Sequence, residues 1–250
     1  MERLRSWAGA ASRAASLALD LLLPVECLGC RRRGDILCGR CEGTLPTLAT
    51  PYCPLCAEPG TPDLCRWCRQ EPPPFRGLRA PYRFEGLVRE AVHALKYDGV
   101  RVAAEDLGRL LAGFLERSPL PGEPVVVPVP LHPRRERERG YNQSLLLARE
   151  VARRRGLPLR ADLLRRVRHT PPQVSLEGHE ERRENLRGAF RCDVRVIGLR
   201  AVVVDDVATT GSTIRECAAA LRRAGAEAVW GLAVARQGRP GSTQYTATAP

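Results

Sequence analysis

Four Cys-x-x-Cys pairs crowded between positions 27 and 68 constrain this chain more than any other feature. The pairs are Cys27/Cys30, Cys38/Cys41, Cys53/Cys56 and Cys65/Cys68, with seven residues between the first two pairs and eight between the last two. Each Cys-x-x-Cys turn aims two thiolates at one metal, and two turns complete a tetrahedron with bonds of about 2.3 Å to zinc. The pattern is one unit used twice. Residues 25–78 are rich in Pro and Gly and poor in large apolar side chains. Such a stretch cannot bury enough surface alone, so bound metal supplies its folding energy. Four thiolates favour zinc and leave no open coordination position, which makes two structural Zn2+ ions the expectation. An iron–sulfur cluster and a single zinc with spare thiols are the rival readings. Short loops favour pairing the first four and the last four cysteines, with an interleaved arrangement still open. Metal-spaced thiols imply a reducing compartment, hence a cytoplasmic location. Cys192 and Cys217 stand alone and read as buried structural thiols.

Composition divides the chain further. Residues 1–24 begin basic and continue Ala/Leu-rich, like a signal peptide, but Asp20 interrupts the apolar core and the cysteines follow at once. An amphipathic N-terminal helix is the expectation there. No run approaches the roughly 18 apolar residues that a spanning helix needs. The sequence Glu71-Pro72-Pro73-Pro74 closes the cysteine region as a stiff spacer. From residue 79 to 237, apolar strands alternate with amphipathic helices. Strands are expected over 78–84, 125–129, 199–204 and 228–235, and helices over 87–95, 103–115, 143–155 and 212–224. That order implies an α/β fold, a parallel sheet covered by helices. Residues 238–250 lack any pattern and are expected to be disordered.

The formal charge is +12, and of 40 basic residues only Lys96 is not Arg. Between Arg134 and Arg168 there are 12 Arg against 4 acidic residues, a net of +8. Such a block suits a phosphorylated small molecule or nucleic acid, unless it is simply a solvated face of an Arg-biased chain.

The densest chemistry lies in Val202–Thr213, VVVDDVATTGST. A strand delivers Asp205 and Asp206 at its carboxyl end; Ala208, Thr209, Thr210, Gly211, Ser212 and Thr213 follow, and a helix begins. Backbone N–H groups of such a turn and of the helix start form a nest for a phosphate dianion, with Thr and Ser hydroxyls as further donors. Two carboxylates cannot ligate phosphate, but they suit ribose hydroxyls, directly or through Mg2+. A plain helix cap would explain one such residue, not two acids and a hydroxyl-rich turn.

This segment resembles the signature of type I phosphoribosyltransferases. The wider chain resembles the ComF family, competence-associated proteins with a zinc-binding N-terminus and a phosphoribosyltransferase domain. The resemblance is carried by HALKYDG (93–99), PVPLHPRRERERGYNQS (128–144), LLRRVRHTPPQ (163–173), ERRENLRGAF (181–190) and VVVDDVATTGST (202–213). It implies a type I phosphoribosyltransferase fold over 79–237, preceded by a small double zinc ribbon over 25–78. It further implies that Asp205 and Asp206 hold the ribose hydroxyls of phosphoribosyl pyrophosphate, and Ala208–Thr213 its 5′-phosphate. The segment from Leu131 to Arg135, with Arg134 and Arg135, falls where related enzymes bind pyrophosphate with Mg2+. Residues 165–185 fall at the flexible loop of those enzymes, with Arg166, Arg168 and Thr170 as candidates to close over the leaving group. Lys96 and His132 are added by position. His93, three residues before Lys96, shares its helix face but reads as structural, and His169 and His179 read as solvated.

Two functions remain open at this level. One is a Mg2+-dependent glycosyltransferase that moves the phosphoribosyl group to an acceptor. The other is a non-catalytic factor in natural transformation that contacts single-stranded DNA or other competence proteins and keeps the fold for ligand sensing. Aromatic residues amount to 5%, with Trp67, Tyr52 and Tyr82 as the evident stacking candidates, which weighs against DNA as the main ligand.

Overall fold

A computed structural model describes residues 25–168 and 186–238. The expected N-terminal helix, the tail from 239 on, Thr170, His169, His179 and most of the loop 165–185 lie outside the described residues. The chain divides into two compact units, Met1–Thr44 and Leu45–Pro250.

In the first unit the turn Cys27–Cys30 is followed by Arg31 at φ +61°. Cys27 N–H donates to the Arg32 carbonyl (2.8 Å), and Cys38 N–H donates to Cys27 Sγ (3.5 Å). A short helix α1 (Gly39–Glu42) carries Cys41. The second unit repeats these details. Ala57, after the turn Cys53–Cys56, sits at φ +54°, and Cys53 N–H donates to the Glu58 carbonyl (2.8 Å). Cys65 N–H donates to Cys53 Sγ (3.4 Å), and α2 (Arg66–Gln70) carries Cys68. The sequence repeat is a structural repeat.

The rest of the second unit is a parallel sheet with helices. Its strands are β1 (Gly77–Arg79), β2 (Tyr82–Arg83), β3 (Val125–Pro128), β6 (Arg200–Ala208) and β7 (Ala228–Arg236); a separate two-stranded antiparallel ribbon joins β4 (Arg165–Arg166) to β5 (Phe190–Arg191). The sheet order is β1-β7-β6-β3, with β2 also on β7. The single strand expected over 78–84 is therefore split. Gly77–Arg79 pairs with Trp230–Leu232, and Tyr82–Arg83 with Ala235–Arg236. Pro81, which has no N–H for the ladder, lies at the break.

The helices are α3 (Gly86–Tyr97), α4 (Ala103–Arg117), α5 (Pro133–Arg139), α6 (Gln143–Arg155) and α7 (Ser212–Arg223). Sequence periodicity anticipates four of these within two residues at each end. It misses α5, because PRRERER has no apolar face; residues 133–135 are helix rather than loop. The signals lie in its ends: Pro at the first turn, His132 Nδ1 accepting from Arg134 N–H (3.3 Å), and left-handed Gly140 at the stop.

Strand β6 alternates in two directions, since neighbouring side chains point to opposite faces. Ala201 and Val203 join a cluster with Ile214 and Leu221 of α7, while Val202 and Val204 face the other side, where α6 packs. The close approach of α7 depends on Gly231. A Cβ there would lie 2.7 Å from Ile214 Cγ2 and 2.8 Å from Leu78 Cδ1. This seats the first turn of α7 over the carboxyl ends of the strands, where ligands of parallel sheets bind.

The four sulfurs of Cys27, Cys30, Cys38 and Cys41 lie within 4.8 Å of one another, as do those of Cys53, Cys56, Cys65 and Cys68. A zinc tetrahedron places its sulfurs about 3.8 Å apart, so both sets fit the ion, and the pairing is sequential. The donor chemistry agrees. In the second set the Cys56 thiol is held down to about 4, by hydrogen bonding from Cys68 against the cost of burial, with Arg236 assisting, while Cys68 is pushed far up. Four crowded sulfurs thus keep a thiolate in a buried place, which is what a bound cation compensates.

Candidate phosphate and ribose site

Strand β6 runs four residues further than periodicity suggests, to Ala208, so Asp205 and Asp206 lie inside it. Asp205 is paired in register with Ala233 of β7. Alternation sends the two carboxylates to different neighbours. Asp206 Oδ1 pairs with Lys96 Nζ at 2.6 Å, delivered by the last turn of α3. Asp206 Oδ2 is buried and has no hydrogen-bond partner among the described residues. Asp205 Oδ1 accepts from Ser144 Oγ (2.9 Å) and from the Asp206 N–H (3.0 Å).

Burial pushes the Asp205 carboxyl up to about 7, and the neighbouring Asp206 adds to the rise; Lys96 offsets part of it. Burial opposes the Lys96 ammonium, but Asp206, then Asp205, overcomes this and the lysine is held above its ordinary value. The chain's one lysine therefore supplies the counter-charge for a buried acidic pair. His93, on the same helix, is exposed and makes an edge contact with Tyr97 instead (5.4 Å).

The turn after β6 lies directly beside this pair. A cleft lined by Asp205, Val207, Ala208, Thr209, Gly211, Ser212, Thr213 and Ile214 opens over it. Gly211 caps α7 at φ +76°, a left-handed conformation that other residues rarely adopt. Thr210 Oγ1 and Ser212 Oγ are 2.7 Å apart, and Ser212 N–H donates to Thr210 Oγ1 (3.3 Å). Hydroxyls, a helix N-terminus and the Asp205 carboxylate thus share one pocket, with Asp206 the next residue along the strand.

The remaining candidates separate by position. Leu131 is buried. Arg166 is half-buried with its guanidinium 5.5 Å from the Phe190 ring. Burial, then the positive charge of Arg135, holds it below its ordinary value, while Cys217 and Asp205 pull the other way. Arg166 is thus within electrostatic reach of both Arg135 and Asp205. Arg134 pairs with Glu138 (3.1 Å) on the exposed side of α5, and Arg168 Nη1 donates to the Arg187 carbonyl (2.7 Å). His132 caps α5. Cys217 is fully buried, whereas Cys192 is only half-buried.

Several residues escaped the reading of the sequence. Asn142 caps α6, its Oδ1 accepting from Ser144 N–H (3.0 Å) and Leu145 N–H (3.3 Å), while its Nδ2 donates to the Val129 carbonyl (3.0 Å). It fixes the start of α6 to the end of β3, and so places Ser144 under Asp205. Tyr141 donates its hydroxyl to the Leu95 carbonyl, one residue before Lys96. An Asn directly before a helix is a recognisable cap, and that signal was available in YNQS. Tyr97 was also missed. It is 62% exposed beside Lys96, with the Arg139 guanidinium 5.7 Å from its ring.

A family model described as "Phosphoribosyl transferase domain" matches residues 142–243. The chain is 40% identical over 185 residues to the DNA utilization protein YhgH of Salmonella typhi, covering 71% of this chain and 80% of that protein. It is 42% identical over 113 residues to Competence protein F of Haemophilus influenzae, covering 43% and 49% respectively. To Competence protein ComFC of Bacillus subtilis it is 26% identical over 205 residues, covering 76% and 79%. At 40% identity over 80% of one such relative, and with the phosphoribosyl transferase model matching its C-terminal part, the chain belongs to the ComF family, whose members carry a phosphoribosyltransferase domain.

Proposed function

We propose that this chain binds phosphoribosyl pyrophosphate together with Mg2+, as a phosphoribosyltransferase-like protein linked to competence and DNA use. One observation carries the reading: the buried Asp205 carboxylate lines one cleft with the hydroxyl-rich helix start, and the adjacent Asp206 Oδ2 is buried without a hydrogen-bond donor among the described residues. A buried acceptor left unsatisfied costs about 1–3 kcal/mol, which a ribose hydroxyl or a hydrated cation would recover. The 5′-phosphate takes the nest of Thr209–Thr213, and the ribose hydroxyls take Asp205 and Asp206. Arg135 and Arg166 face the diphosphate on C1. A Mg2+ ion bound with the diphosphate supplies charge neutralisation to the leaving group. In a transfer reaction the bond from C1 to the diphosphate oxygen breaks as the acceptor bonds to C1, and the chain's share is positioning and electrostatic support.

Titration calorimetry with phosphoribosyl pyrophosphate and Mg2+ tests this. Saturable one-site binding is expected, and it tightens from about pH 6 to about pH 8 as Asp205 ionises to accept the ribose hydroxyls. The ligand phosphate also ionises near pH 6, so the Asp205→Asn variant isolates the protein's share: its affinity is weaker and rises less with pH. Identical behaviour of the wild type and an Asp205→Asn/Asp206→Asn double variant would refute the assignment.

A second reading is favoured by Tyr97 and its neighbours. The Arg139 guanidinium lies over Tyr97 and that of Arg101 lies 4.8 Å from the Tyr141 ring. Tyr97 is the exposed ring of the two, Tyr141 being buried, and an exposed aromatic ring beside arginines is a stacking site for a base of single-stranded nucleic acid. On this reading Tyr97→Ala weakens oligonucleotide binding about tenfold, corresponding to a stacking energy of about 1–3 kcal/mol, and binding weakens as salt rises. Unchanged affinity in the variant would remove this platform.

A further inference from the structure

Arg236, the last residue of β7, is buried at 0% side-chain exposure, and its partner Glu58 at 2%. Burying both charges is costly, and a buried ion pair is weak evidence for stability. What the pair does is geometric. Nη2 holds the Glu58 carboxylate, two residues after Cys56, and Nε donates to the Cys56 carbonyl (3.0 Å). Nη1 donates to the carbonyls of Ala208 (2.9 Å) and Thr209, both in the turn after β6. One guanidinium therefore joins the second four-cysteine site to the candidate phosphate nest.

The consequence follows from peptide planarity. A trans peptide unit points its C=O and its N–H in opposite directions. Gripping the carbonyls of Ala208 and Thr209 from the Arg236 side turns the N–H groups of Thr209 and Thr210, which share those peptide units, away from Arg236. On the phosphate reading above, these two groups are donors of the nest. Other ties join the same parts. Leu78 N–H donates to the Leu55 carbonyl (2.7 Å), and Arg215 of α7 donates to the carbonyls of Glu71 (3.2 Å) and Pro72 (3.3 Å). Cys53, Cys56, Cys65 and Cys68 belong to the same buried cluster as Leu78, Val203 and Ile214.

We infer that Arg236 is a positioning residue for 5′-phosphate binding, and that Glu58 and Cys56 of the second four-cysteine site hold it in place. The second metal site is on this account part of the foundation of the ligand site. The inference rests on the phosphate-and-ribose reading above and adds the residues that shape the nest.

Two measurements on the full chain test it, with ribose 5-phosphate as the probe. In wild-type protein loaded with cadmium in place of zinc, cadmium NMR reports each four-cysteine site separately. Saturating ribose 5-phosphate is expected to shift one of the two resonances and leave the other. Neither moving, while calorimetry shows the ligand bound, overturns the inference alone; no ribose 5-phosphate binding at all overturns the functional reading beneath it. The second measurement uses Glu58→Gln, with Arg236→Lys alongside, each checked for two bound metals and a cooperative melt. Affinity for ribose 5-phosphate is expected to fall about tenfold, with affinity for magnesium pyrophosphate retained. Equal loss for both ligands would mean a general structural role and overturn the inference, as would no loss for either. If neither variant folds, the cadmium result on the wild type decides.

Discussion

The Asp205→Asn variant is expected to be more stable than the wild type near neutral pH and to bind phosphoribosyl pyrophosphate about 100-fold more weakly. Both effects come from one cause. In the folded chain the Asp205 carboxyl is pushed up to about 7 from 3.8, by burial and by Asp206. A carboxyl raised on folding binds its proton more tightly in the folded state, so its ionisation costs stability progressively between about pH 4 and about pH 7. Asparagine keeps an acceptor for Ser144 Oγ and the Asp206 N–H without carrying that charge. The gain in stability is at most about 4 kcal/mol at about pH 8 and vanishes near pH 4. The loss in affinity corresponds to about 2.7 kcal/mol, the scale of a charged hydrogen bond to a ligand hydroxyl. Chemical denaturation across pH, with calorimetry on the same samples, measures both. A variant whose stability profile runs parallel to that of the wild type would show that Asp205 is not under this stress.

The second large effect concerns the metal sites. Cys68→Ser removes a ligand from a fully buried four-cysteine set that shares the core of the second unit. Structural zinc sites carry an apparent binding free energy of about 10–16 kcal/mol, against total domain stabilities of about 5–15 kcal/mol. Loss of the second ion is therefore expected to abolish the main cooperative melt of the chain. Cys30→Ser, in the separate first unit where Cys30 is exposed, is expected to cost one ion and leave the main transition in place. Metal content and thermal melting of the two variants decide the matter. A Cys68→Ser protein that holds one zinc and melts like the wild type would contradict the account.

How much of this was legible in the sequence depends on how far apart the interacting parts lie. VVVDDVATTGST places acids, hydroxyls and the helix start within a dozen positions, so strand–turn–helix chemistry can be read from it directly. The cysteine pairs were legible for the same reason, and the backbone repeats around Arg31 and Ala57 follow their spacing. The partners that shape the site are remote. Ser144 reaches Asp205 across 61 positions, and Arg236 reaches Glu58 across 178. Neither pair leaves a periodic or local trace. Lys96 was conspicuous only as the chain's one lysine, and nothing in HALKYDG fixes its partner as Asp206 rather than Asp205. Helix α5 was missed because its residues face solvent and only its caps mark it. Composition separates residues 25–78 from the rest, but it carries no sign that Cys53–Cys68 packs against Leu78 and Ile214 in a common core.

Amide NMR during titration with ribose 5-phosphate distinguishes whether the turn after β6 holds the phosphate and the acidic pair the sugar of one ligand. Saturable shifts are expected on the N–H groups of Thr209, Thr210, Gly211, Ser212 and Thr213, with the Asp206 N–H moving only when the ribose is present and not with inorganic phosphate. Shifts confined to other parts of the chain, or the same response from sugar phosphate and inorganic phosphate at Asp206, would contradict that assignment.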